Sequence, residues 1–130
     1  MKDCLVLVVE DDADTREALV ELLRTEGYTA EGAADGIDAL DMVVKGAFRP
    51  DVIVLDLYMP TMGGKEFKEA LKNLPKFKHI PVIFVTGSSS LTSTPEAFET
   101  LQKPMDVNEL LEVVRRGCKA TPRHQQPMSA

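Results

Sequence analysis

The chain is poor in cysteine and in positive charge, and it has no long apolar run. Its two cysteines, Cys4 and Cys118, lie far apart with neither a CxxC nor a ligand-like spacing, which argues against a cysteine metal site. They are expected to be small apolar side chains in a reducing cytosol. After Met1-Lys2-Asp3 the apolar stretch covers only residues 4–9 before Glu10-Asp11-Asp12. That is too short for the core of a signal peptide or for a membrane span, so a cytoplasmic protein with no membrane partner is expected. Lys and Arg number 15 against 21 Asp and Glu, giving a net charge of −6. Such a balance repels phosphate backbones and argues against direct nucleic-acid binding. No internal repeat is visible.

What is present is the composition of an ordinary folded domain, 44% hydrophobic and 28% charged. At 130 residues the chain suits one domain, which hides roughly two-thirds of its unfolded surface. Short apolar runs alternate with segments of helical period. CLVLVV at residues 4–9 reads as a strand covered on both faces. Asp14-Thr15-Arg16-Glu17 has the form of a capping box, followed by Leu19, Leu22 and Leu23 on one helical face and by Gly27 as a stop. Residues 28–33 form a weaker strand candidate. Residues 35–46 carry Ile37, Leu40 and Val44 at i, i+3, i+7 and read as an amphipathic helix.

The third strand is expected over 51–56, a third helix over 64–74 with Phe67, Leu71 and Leu74 on one side, and a fourth strand over 81–86. Asp106-Val107-Asn108-Glu109 starts a last helix with Leu110, Val113 and Val114 facing inward and Arg115 and Arg116 near its C-terminal dipole. The folded domain is placed at 1–118 and a disordered polar tail at 119–130. Strand–helix alternation of this kind predicts an α/β sheet with right-handed crossovers, and ligands then sit beyond the carboxyl ends of the strands.

Those ends carry one kind of chemistry. The first strand stops at Glu10-Asp11-Asp12, the third at Asp56, the fourth at Thr86 and a possible fifth at Lys103-Pro104. Two carboxylates ~5 Å apart repel by roughly 3 kcal/mol at an effective dielectric near 20, so a cluster of three calls for a cation. Hard oxygen ligands suit Mg²⁺. Asp56 stands out because an acid after Val-Ile-Val-Leu gains nothing from burial.

Asp11-Asp12, Asp56 within VLDLYMP, Gly64, Thr86-Gly87 and Lys103-Pro104 together resemble the receiver domain of two-component response regulators, over about residues 5–116. The resemblance implies a flavodoxin-like, doubly wound, five-stranded parallel sheet of order 2-1-3-4-5. It implies a signalling phosphoacceptor rather than an enzyme of turnover, with Asp56 receiving a phosphoryl group from a phosphohistidine on a histidine kinase or phosphotransfer protein. In that scheme Asp12 binds Mg²⁺ directly, Asp11 through water, and the backbone carbonyl of Tyr58 adds an oxygen. Lys103, aimed by a cis bond before Pro104, pairs with Asp56 and then with the phosphoryl group. Thr86 couples phosphorylation to shape, and so to a downstream protein partner.

Two departures from the family's pattern stand out. The aromatic expected three residues before the lysine is Thr100, with Phe98 the nearest ring. The crossover between Thr86 and Lys103 is short, and residues 87–97 are poor helix formers. A fourth helix reduced to about one turn, capped by Thr94 with Pro95 next, or a mobile loop, is expected there. Rival readings are a pseudo-receiver that binds partners unphosphorylated and an aspartate-nucleophile phosphatase, whose second acid would fall at Tyr58. A flavin-mononucleotide protein of similar fold would need its phosphate loop where this chain has three acids.

Overall fold

The computed structural model describes residues 4–46, 48–57, 62, 64–87 and 98–120. Five parallel strands, β1 (Leu5–Val9), β2 (Thr29–Ala33), β3 (Val52–Asp56), β4 (Val82–Thr86) and β5 (Glu99–Gln102), form one sheet of order β2-β1-β3-β4-β5. The described helices are α1 (Ala13–Thr25), α2 (Gly36–Val44), α3 (Gly64–Lys72) and α4 (Val107–Ala120). The order reverses between β1 and β3, which places the crevice of an open α/β sheet at their carboxyl ends. This is the doubly wound, flavodoxin-like sheet expected. The expected short helix over 88–97, Tyr58 and residues 121–130 of the tail lie outside the described residues. No described helix is long and apolar enough to cross a membrane.

Strand alternation divides the core in two. Val6, Val8, Val52, Val54, Ile83, Val85 and Leu101 face α1 and α4, where they meet Val20, Leu23, Leu110, Val113 and Val114. Leu7, Val9, Ile53, Leu55, Val82 and Phe84 face the other way, onto Ala39 and Val43 of α2 and Phe67 and Leu71 of α3. Both faces are covered, so the strands read as unbroken apolar runs.

Four expectations change. The N-cap of α1 is Asp12, not Asp14: its side chain accepts from the Thr15 N–H, and the helix begins two residues early. On α2 the buried residues are Gly36, Ala39 and Val43, whereas Ile37 and Val44 are 51% and 59% exposed. Of the i, i+3, i+7 stripe only Leu40 packs against the core, beside Ala39 and Val43, while Gly36 leaves room for the Met62 side chain. Helix α4 begins under the cap of Asp106, which accepts from the Asn108 and Glu109 N–H groups, but it runs to Ala120. Arg115 and Arg116 therefore fall short of the last turn, and pair with Glu112 and Glu99.

The fourth change concerns the cysteines. Cys4 and Cys118 are joined as a disulfide, with Cα atoms 6.0 Å apart across a sequence separation of 114. Parallel topology brings the start of β1 beneath the end of α4, a proximity that residue spacing cannot show. Gly117 permits the approach, since a Cβ there would lie 3.0 Å from Cγ2 of Val52. At the same end of the sheet, the buried Asp51 accepts the Leu5 N–H at 2.9 Å and holds β1 to the start of β3.

Candidate functional site

At the opposite edge the strands deliver polar groups into a largely apolar frame. Strand parity aims them: Glu10 continues the series Val6, Val8, and Asp56 continues Val52, Val54. Glu10, Asp56 and Thr86 are buried, while Asp11 and Asp12 are exposed. One carboxylate oxygen from each of Glu10, Asp11 and Asp56 lies within 4.8 Å of the others. Lys103, just beyond β5, sends its Nζ to within 3.1 Å of Glu10 Oε1 and 3.4 Å of Asp56 Oδ2. Its backbone N–H donates to the Thr86 carbonyl at 2.8 Å, which ties the end of β4 to the lysine, and the Lys103–Pro104 bond is cis.

Burial alone would push the Lys103 pKa down. The hydrogen bond to Glu10, the charges of Asp56 and Glu10, and the hydrogen bond to Asp56 outweigh burial and raise it above 10.5, so the lysine is a fixed cation. One ammonium offsets one of three carboxylates. The remaining pair repels by roughly 3 kcal/mol at this separation and an effective dielectric near 20. Three hard oxygen donors with excess negative charge fit a divalent cation of the Mg²⁺ type.

The structure thus gathers Asp11, Asp56 and Lys103 and brings Thr86 to the same edge. It does not bring Asp12. That carboxylate accepts from the Thr15 hydroxyl at 2.6 Å and the Thr15 N–H at 2.9 Å, which lower its pKa. A side chain committed to capping α1 is turned from the cluster, and Glu10 stands there instead. Of the three consecutive acids, the structure brings Glu10 and Asp11 to the cluster, where the resemblance implies Asp11 and Asp12. The signal was available, since residue 10 shares the parity of Val6 and Val8. Thr100 lies in β5 opposite Phe84, half-buried, and Phe98 lies under the Arg116 guanidinium, 6.0 Å from the ring centre.

A family model described as the response regulator receiver domain matches residues 6–115. The chain is similar to Protein Rrf1 of Nitratidesulfovibrio vulgaris, 39% identical over 122 residues that cover 90% of this chain and 87% of that protein. It is 33% identical to Response regulator MprA of Mycobacterium sp. (strain KMS) over 95% of this chain but 54% of the relative, so it spans about half of MprA. Among solved structures, chemotaxis protein CheY4 of Vibrio cholerae matches with a TM-score of 0.80 and 34% identity, covering 88% of this chain and 98% of that one.

Proposed function

Because the chain belongs to the response regulator receiver domain family, we propose that Asp56 accepts a phosphoryl group from a phosphohistidine on a histidine kinase or phosphotransfer protein, in a Mg²⁺-dependent step that switches partner binding. The observation that carries this reading is the convergence of Glu10, Asp11 and Asp56 with Lys103 at the switch point of the sheet. Asp56 is the nucleophile: one of its oxygens bonds to phosphorus as the P–N bond of phosphohistidine breaks. Bound Mg²⁺ supplies the positive charge that phosphoryl oxygens require in transfer. Glu10, Asp11 and Asp56 would hold it, while Asp12 caps α1.

Lys103 is already poised between Glu10 and Asp56, so it can meet a phosphoryl oxygen with little movement. Thr86, whose carbonyl holds the Lys103 N–H, couples the new dianion to the end of β4. The chain acts as a cytoplasmic signalling phosphoacceptor whose output is a protein partner, without direct contact to nucleic acid or membrane. Incubation with acetyl phosphate and Mg²⁺ followed by intact mass tests the reading. One added phosphoryl group, absent in Asp56→Asn and without Mg²⁺, is expected. An unmodified wild type would overturn it, and sustained turnover of a phosphomonoester would favour a phosphatase.

A further inference from the structure

Arg16 stands outside the acid cluster and has no part in the chemistry above. It is the fourth residue of α1, and side chains there lean toward the helix N-terminus. Its Nη1 donates to the backbone carbonyl of Glu10 at 2.8 Å. The stem reaches that point by lying flat on β2 over Gly32. A Cβ at position 32 would sit 2.9 Å from Cγ and 3.0 Å from Cδ of Arg16. A glycine inside a strand weakens it, and here the missing side chain makes room for the arginine.

The carbonyl that Arg16 holds belongs to the peptide joining Glu10 to Asp11. Those two residues carry two of the three carboxylates of the cluster. The other polar groups of Glu10 are held as well: its N–H donates to the Ala33 carbonyl at 3.1 Å, Oε1 accepts from Lys103 at 3.1 Å, and Oε2 accepts the Asp12 N–H at 3.2 Å. Among the described residues no hydrogen bond frames the exposed Asp11 carboxylate, so the plane of the peptide before it sets where its Cα–Cβ bond points. We propose that Arg16, seated by Gly32, is a positioning residue that fixes the Glu10–Asp11 peptide and thereby sets both acids for one divalent cation.

This inference rests on the metal reading above, and charge gives it a sign. Arg16 is a cation near a cation site, so if it acted only through its charge its removal would tighten Mg²⁺ binding. If it positions the two acids, removal weakens binding, and loss of such outer partners costs about 10–100-fold in metal affinity. Titration calorimetry of Mg²⁺ into the unphosphorylated full chain separates the two. Arg16→Gln is expected to weaken binding about tenfold or more, and Arg16→Lys to recover part of the loss. Gly32→Val, which lifts the arginine stem without changing any charge, is expected to weaken it in the same direction. Gly32→Ala is a milder form should the valine disturb β2, and far-UV circular dichroism checks the fold of each variant. No Mg²⁺ binding by the wild type would remove the metal reading itself. Wild-type binding with an unchanged or tighter Arg16→Gln variant would overturn the positioning role alone.

Discussion

Three consecutive acids, Glu10, Asp11 and Asp12, meet three different environments within a few ångströms. Glu10 is buried against Lys103, Asp11 reaches the same cluster from an exposed position, and Asp12 is taken by the first turn of α1. Residue type does not separate them; strand parity and the helix start do. The Thr15 hydroxyl and N–H hold the Asp12 carboxyl below its ordinary value of 3.8. A depressed carboxylate stabilises the fold above the unfolded pKa, and the contribution is lost as pH falls through the folded value. Asp12→Ala should therefore lower the thermal midpoint by about 3–5 °C at pH 7. The gap to wild type should close as pH drops below 3.8. A gap that persists undiminished in acid would show that the charged cap is not its source.

At the scale of elements, α2 shows how periodicity can find a helix and misplace its face. Ile37 and Val44 are exposed although large, while Ala39 and Val43 are buried and Leu40 packs partly beside them. Val43 and Val44 have the same side chain and opposite burial, so residue type alone does not say which side of the helix turns inward. Val43→Ala should cost about 2 kcal/mol in urea unfolding, from lost burial and the cavity left behind. Val44→Ala, one position on, should stay within about 0.5 kcal/mol. Equal costs would mean that the helix is rotated from the orientation described. Helices α1, α3 and α4 were more legible: Leu23, Phe67, Leu71, Leu110, Val113 and Val114 are all buried where their spacing put them.

For the whole molecule, the bond between Cys4 and Cys118 closes nearly the full folded chain into one loop. By the loop-entropy account, a closure of this length is worth about 2–5 kcal/mol, with native geometry deciding where in that range it falls. Adding a dithiol reductant, or replacing Cys118 with Ser, should lower the urea midpoint by a matching amount, with the wild type under reductant resembling the variant. Thiol alkylation read by intact mass under non-reducing conditions reports the bond directly. No difference between reduced and oxidised chains would show that α4 is held by its apolar face and Gly117 alone. A reducing cytoplasm favours the dithiol form, so the proposed location also predicts which state is populated there.

The sequence alone determined the alternation of strands and helices, the parallel sheet and the convergence of Asp56, Thr86 and Lys103 at one edge. Buried strands and the periodic faces of most helices are local patterns that survive folding unchanged. Strand parity marks Glu10 as well; tertiary structure decided which side of α2 is buried, how Arg16 crosses Gly32 to reach Glu10, and that Cys4 meets Cys118. Each of these depends on distances across the sheet, and no pattern along the chain records those distances.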